Sequence, residues 1–196
     1  SMPSVLITGC STGFGRQTAL HFVEKGWSVF ATMRDPAAST LPASERLHVL
    51  SLDVTNARSI ADAVAQAGPI DVLVNNAGIG WFNALEGTPL DTARELFEAN
   101  LFGTLAMMQA VLPAMRERRS GTIVNVSSST IYEPSPMLAV YRASKAAVTA
   151  MTEAAAGELA PFNIRARVVV PGLAPTTSFA ANIEERVAKG GWFPQA

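Results

Sequence analysis

The sequence predicts an α/β fold: one domain over residues 3–196 of the 196-residue chain, with a doubly wound parallel sheet and helices on both faces. Three observations carry this. Short β-branched apolar runs alternate with longer helical patterns, the order that βαβ units with right-handed crossovers impose. The strand candidates read as near-continuous apolar runs, which suits strands covered on both faces. The first of them leads through a glycine-rich turn into an amphipathic helix.

In chain order the strand candidates are SVLIT (4–8), SVFAT (28–32), LHVLS (47–51), DVLVN (71–75), TIVNV (122–126) and RARVVV (165–170). Each is a few residues long and rich in Val, Ile or Leu. Helical patterns fall at 14–25, 56–67, 89–117, 141–160 and 180–189. PAASTLPAS (36–44) is the most loop-like interior stretch and is too short to divide domains. There is no internal repeat, low-complexity tract or linker. The last 24 residues carry no further strand signal. The C-terminal part of the sheet is therefore expected to be incomplete, by truncation or by omission of a disordered stretch. Ser1 reads as an expression remnant ahead of the native Met2.

Composition removes several function classes. Apolar residues are 48% and charged residues 16%, which excludes a disordered chain. Lys+Arg 15 against Asp+Glu 16 leaves a net charge of -1, with no electrostatic case for nucleic acid or an anionic membrane surface. The basic knot RERRS (116–120) falls where a helix should end and complements its dipole. No run of eighteen apolar residues or signal-peptide pattern is present. Cys10 is the only cysteine, so the expected compartment is a reducing cytoplasm. His21 and His48 have no second ligand at metal spacing, and no metal site is expected. Asn125-Val126-Ser127 matches a glycosylation sequon but lies in a strand predicted to be buried.

TGCSTGFG (8–15) places glycines at 9, 13 and 15. Gly9 permits a tight turn, Gly13 lets backbone approach a pyrophosphate, and Gly15 allows close packing of helix on strand. The helix that follows points its amides and positive dipole end at the phosphates. Between a first strand and a first helix, this spacing indicates dinucleotide binding. Farther along, YRASK (141–145) sets Tyr141 and Lys145 four positions apart, on one helix face.

With these motifs the sequence resembles the short-chain dehydrogenase/reductase family, and within it the hydroxysteroid- and retinol-dehydrogenase-like branch. TGCSTGFG, LDVT (52–55), NNAG (75–78), NLFG (100–103), IVNVSS (123–128), YRASK and PGLAPT (171–176) occur in the family's order. The resemblance implies a Rossmann-type oxidoreductase in which Asn100, Ser128, Tyr141 and Lys145 are catalytic. Ser128 lies thirteen residues before Tyr141, the family spacing, which favours it over Ser127 and Ser129. The cofactor set it implies is Gly9, Ser11, Thr12, Gly13, Phe14 and Gly15 in the loop, with Asp53 and Val54 at the adenine. Asn75, Ala77 and Gly78 should line the adenosine side. Pro171, Gly172 and Thr176 should border the nicotinamide, and Tyr141 and Lys145 should also touch the cofactor.

By the same resemblance Tyr141 exchanges a proton with the substrate oxygen, and Ser128 hydrogen-bonds the developing oxyanion. Lys145 holds the nicotinamide ribose, and Asn100 helps position a water. A free tyrosine, with a pKa of about 10, is a poor base at neutral pH. A lysine ammonium close by favours the phenolate, as does the positive charge of an oxidised nicotinamide. At about 4 Å and an effective dielectric of about 20, one unit charge contributes up to ~4 kcal/mol, or ~3 pKa units before desolvation offsets it. Tyr141 is thus expected to exchange a proton with a substrate oxygen near pH 7 to 8.

Two neighbouring residues argue about the cofactor. Asp35 is twenty residues after Gly15, the rough position of an acid that holds the ribose of NAD. In the family's register the acid lies twenty-four residues after Gly9, and here that residue is Met33. Arg34 can instead pair with a 2′-phosphate through its planar fork, with Ser11 adding a hydroxyl. Asp35 beside Pro36 reads as a turn residue. NADP(H) is therefore expected over NAD(H). Trp81, Phe82, Ile131, Met137, Leu173 and Phe179 are candidates for an apolar pocket that would take a lipophilic ketone or secondary alcohol. Helices 89–117 and 141–160 are apolar on more than one face, so a homodimer or homotetramer through them is expected. Two rival functions are an NADP(H)-binding sensor without catalysis and a nucleotide-sugar epimerase-like enzyme. The resemblance associates the epimerase class with a different glycine spacing.

Overall fold

The computed structural model of the chain describes residues 1–172. Strands β1 (Ser4–Ile7), β2 (Ser28–Met33), β3 (Leu47–Ser51), β4 (Val72–Asn75), β5 (Gly121–Val126) and β6 (Ile164–Val169) form one sheet in the order β3-β2-β1-β4-β5-β6. Every neighbouring pair is parallel. The six predicted strands are all present, each within one residue at either end. The helices are α1 (Gly13–Glu24), α2 (Ala57–Ala67), α3 (Leu90–Phe97), α4 (Gly103–Arg118) and α5 (Ala139–Leu159). The helix predicted at 180–189 lies outside the described residues.

Strand side chains alternate between faces, and the core divides accordingly. Leu6, Leu73 and Ile123 join Ile60 and Ala63 of α2, Met107, Val111 and Met115 of α4, and Met151 and Ala155 of α5. Their neighbours Val5, Ile7, Val72, Val74 and Val124 point the other way, toward Ala19, Phe22 and Val23 of α1. Helices therefore cover both faces, as parallel strands require. Strand order reverses between β1 and β4, which opens a crevice beyond their carboxyl ends.

The helical pattern at 89–117 is not one helix: a π-helical turn, Glu98–Phe102, separates α3 from α4. The wider turn disturbs the usual backbone bonding, and the Thr104 hydroxyl donates to the Asn100 carbonyl at 2.9 Å. After the break α4 runs close to the loop behind β3. A Cβ on Gly103 would lie 2.7 Å from a methyl of Val54.

At the other end of α4, Arg118 donates to the Ile70 carbonyl (2.7 Å) and Arg119 to that of Pro161 (2.6 Å), so the basic knot ties neighbouring loops together. Asn125 is fully buried and donates to Thr152 at 2.8 Å, which closes the sequon to sugar. Among the described residues no helix is long and apolar enough to cross a membrane. No group of three His, Cys, Asp or Glu gathers there at metal-binding distance.

Candidate active site

The crevice floor is made by two loops that bind each other. The Thr8 amide, just past β1, donates to the Val74 carbonyl at 3.0 Å. Its hydroxyl accepts from the amides of Asn76 (3.0 Å) and Ala77 (2.8 Å). Asn76 Nδ2 then donates to the Gly9 carbonyl at 3.1 Å. Gly9 and Gly13 have φ of 72° and 60°, the left-handed region that favours glycine. A Cβ on Gly15 would stand 2.0 Å from the Gly9 oxygen and 2.6 Å from Asn76 Nδ2. The loop therefore leaves its backbone bare in front of the first turn of α1, which contains no acidic residue. Ser11, Thr12 and Phe14 are exposed on this rim. These features fit a pyrophosphate. Gly15→Ala must push the loop apart, and dinucleotide affinity measured by titration calorimetry is expected to fall at least ~10-fold. An unchanged Kd would remove the cradle assigned here.

Along the adenosine side, Met33 is buried in β2 and Arg34 is exposed at its end. Asp35 accepts from the Ala37 amide at 3.1 Å and so caps a single 3-10 turn, the turn role its position predicts. Asp53 accepts from the Thr55 hydroxyl (2.7 Å) and amide (2.9 Å). These bonds, with the Arg34 charge nearby, hold its carboxyl below the ordinary value. Val54 sits beside it, half-buried against Gly103. Asn75 does not open onto the crevice through its side chain, which is buried and donates to Asn125 at 2.9 Å. Its neighbour Asn76 makes the contact with the glycine loop instead.

The four expected catalytic residues come from three elements. Ser128 follows β5, Tyr141 and Lys145 lie on α5, and Asn100 lies in the π-helical turn. The hydroxyl of Ser127 is turned back onto α5, 2.9 Å from Thr149, whereas Ser128 is hydrogen-bonded to the Tyr141 phenol. Lys145 Nζ donates to the Val126 carbonyl at 3.2 Å. A Cβ on Gly78 would lie 3.4 Å from that Nζ and 2.9 Å from Asn100 Oδ1, so the end of the NNAG loop packs against both. Asn100 accepts from the Ile79 amide (2.8 Å) and donates to the Ile79 carbonyl (3.0 Å) and to Ser144 (3.0 Å). Ser144 in turn donates to the Tyr141 carbonyl at 2.7 Å. The π-helical turn is thereby locked to the loop after β4 and to α5.

Burial changes the titration expected for this pair. It pushes the Tyr141 phenol above its ordinary value, with the Ser128 hydrogen bond working against it, and pulls Lys145 down to about 8. In the protein alone, desolvation of the phenol outweighs the Ser128 hydrogen bond.

Trp81 is buried with Leu96 against Tyr141, and its indole donates to Thr88 at 3.1 Å, so it walls the phenol. Phe82, Ile131 and Met137 are half-buried near the crevice. Met137 has a φ of 72°, and its carbonyl receives the Asn83 amide at 2.9 Å. Pro171 and Gly172 follow β6, whose Val169 carbonyl accepts from the Ser127 amide at 2.8 Å. Leu173, Thr176 and Phe179 lie outside the described residues. Sequence reasoning missed Thr8, Asn76 and Ser144. For Asn76 a signal existed, since alternation along β4 puts Asn75 on Leu73's side, toward the helices.

Residues 3–187 match the family described as short chain dehydrogenase. The chain is 41% identical over 172 residues to a 3-ketodihydrosphingosine reductase of Bacteroides thetaiotaomicron, covering 86% of this chain and 62% of the relative. It is 38% identical over 197 residues to retinol dehydrogenase 8 of Bos taurus, covering 94% and 63%. The chain thus spans about three fifths of the length of these curated relatives. Among solved structures it resembles a serine dehydrogenase complexed with NADP+, with a TM-score of 0.86 and 29% identity over 95% of this chain and 80% of the other. It also resembles a 3-ketoacyl-(acyl-carrier-protein) reductase from Brucella melitensis complexed with NADH, with a TM-score of 0.85 and 28% identity over 97% and 85%. By its sequence, its sheet and the match along nearly its whole length, the chain belongs to the short chain dehydrogenase family.

Proposed function

We propose that this protein is an oxidoreductase that interconverts a lipophilic ketone and its secondary alcohol with NADP(H), using Tyr141 as acid and base. The carrying observation is the meeting of Ser128 and the buried Tyr141 phenol, on the helix that also supplies Lys145, beside Gly78 of the crevice. When bound, the nicotinamide supplies or accepts the hydride. In the reductive direction Tyr141 gives its proton to the substrate oxygen, and Ser128 hydrogen-bonds that oxygen as charge develops. Lys145 holds the nicotinamide ribose and replenishes charge beside the phenol. Asn100 keeps the π-helical turn, and with it the Ile79 loop, in register with α5.

The lipophilic assignment rests on the apolar character of Trp81, Phe82, Ile131 and Met137, and on the names of two relatives. Nicotinamide absorbance followed against ketones from small to steroid-sized tests it. An apolar ketone is expected to be preferred. Preference for a charged sugar or hydroxy acid would overturn the assignment.

NADP(H) is proposed because Met33 is buried, Asp35 is committed to its own turn, and Arg34 is the exposed side chain at the end of β2. Wild type is expected to favour NADP(H) in kcat/KM, and Arg34→Ala to lower the NADP/NAD ratio at least ~10-fold, since a charge-assisted bidentate contact is lost. A wild type that favours NAD, or a ratio unmoved by the substitution, would contradict this.

A homodimer or homotetramer is proposed through α4 and α5. Ala139, Ala143, Ala146, Ala150 and Ala154 are exposed along α5, a flat apolar stripe suited to a second copy. Sedimentation at micromolar concentration is expected to show no monomer peak. The proposed compartment is the cytoplasm, where buried Cys10 remains a free thiol.

A further inference from the structure

A serine hydroxyl has one proton to donate and two lone pairs to receive with. At Ser128 both lone pairs have donors. The Thr130 hydroxyl reaches Ser128 Oγ at 3.0 Å, and the Thr130 amide reaches it at 3.3 Å. The remaining direction is toward the phenol of Tyr141, to which Ser128 is hydrogen-bonded. Thr130 itself does not float. Arg142, on α5 between Tyr141 and Lys145, donates Nε to the Thr130 carbonyl at 2.7 Å and Nη2 to the Ile131 carbonyl at 2.9 Å. A planar two-donor fork of this kind fixes orientation as well as distance.

We propose that Thr130 is a positioning residue, held by the Arg142 fork, that turns the Ser128 hydroxyl into a dedicated donor, aimed at the phenol oxygen in the free protein and at the reacting substrate oxygen once the ketone is bound. A serine without this partner can accept as readily as it donates. It would then stabilise the developing oxyanion only in part of its rotamers. The inference rests on the reading that Ser128 and Tyr141 form the reacting pair, and it adds a cause for the direction of their hydrogen bond. Around the phenol stand Ser128, the apolar Trp81 and Leu96, and Lys145 one turn along α5 with Nζ directed to the Val126 carbonyl. The guanidinium of Arg142 is committed to its two carbonyls. Ser128 is thus the polar contact that works to lower the Tyr141 pKa.

The chain has two tyrosines, and Tyr132 is exposed, so Tyr132→Phe leaves Tyr141 as the sole phenol to titrate. In that background, ultraviolet titration of tyrosinate is expected to show a higher midpoint for Thr130→Val and a return to the parent value for Thr130→Ser. Thr130→Ala removes the same hydroxyl and is expected to match Val. Ser128→Ala should also raise the midpoint, and Thr130→Val added to it should raise it no further, because Thr130 acts through Ser128. With NADPH and the best ketone of the panel, Thr130→Val is expected to lose about tenfold in kcat with the KM for NADPH unchanged. A midpoint unmoved by Thr130→Val, or moved equally when Ser128 is already Ala, would overturn the inference. Full turnover by Ser128→Ala would instead overturn the catalytic reading on which it rests.

Discussion

Tyr141→Phe is expected to lower turnover at least ~100-fold while leaving dinucleotide affinity nearly unchanged. The substitution keeps the ring, which is buried with Trp81 and Leu96, so the wall of the site stays packed. What it removes is the oxygen that meets Ser128 and exchanges the proton. Because the pyrophosphate cradle is built from Gly9, Gly13, Gly15 and Asn76, at the ends of other strands, and the Phe ring keeps the Tyr141 packing, cofactor binding is expected to be largely kept. Burial raises the phenol's pKa, so in the protein alone it is held protonated, ready to donate in the reductive direction. Oxidation needs the phenolate, and its rate is expected to climb with pH until the phenol has titrated. A Phe variant that turns over at near wild-type rate would remove Tyr141 from the mechanism.

Lys145→Met is expected to be nearly inactive and yet more stable than wild type at pH 7. Burial lowers the Lys145 pKa from 10.5 to about 8, so below about 8 the folded protein carries a buried charge. That shift is worth roughly 3 kcal/mol, and loss of the hydrogen bond to the Val126 carbonyl returns about 1 kcal/mol of it. The expected gain at pH 7 is therefore of order 2 kcal/mol in urea denaturation. The sign follows from proton counts. Between about 8 and 10.5 the unfolded chain holds a proton that the folded one has released, so wild-type stability rises with pH through that window. The advantage of the Met variant should then shrink toward pH 10. A variant less stable than wild type at pH 7 would show that the lysine is not a strained, functional charge.

The residues legible in the sequence are those whose reason is local. Strands show because each is a short β-branched run, and the crevice shows because Gly9, Gly13 and Gly15 follow the first of them. Asp35 reads as a turn because Pro36 follows it, and its bond to the Ala37 amide is a two-residue affair. The π-helical turn was hidden because ELFEANLFGTLA carries an unbroken helical pattern. Its cause is the clasp between Asn100 and Ile79, twenty-one residues away in sequence and set only by the fold. The burial that raises the Tyr141 phenol in the protein alone is illegible for a similar reason. The spacing to Lys145 is visible in the chain, whereas the desolvation imposed by Trp81 and Leu96 is not. Thr130 and Arg142 escaped notice because their partners are backbone carbonyls and a hydroxyl orientation, neither of which leaves a mark on residue type.

The most direct test of the central claim is to follow a label. NADPH carrying deuterium on both faces of nicotinamide C4 is mixed with wild-type protein and the best ketone of the panel, and the alcohol product is analysed by mass spectrometry. One deuterium is expected on the carbinol carbon of each product molecule, with the hydroxyl proton drawn from solvent through Tyr141. Tight binding of NADPH with no label transferred to any ketone would contradict it, and would make the protein a cofactor-binding module rather than an enzyme.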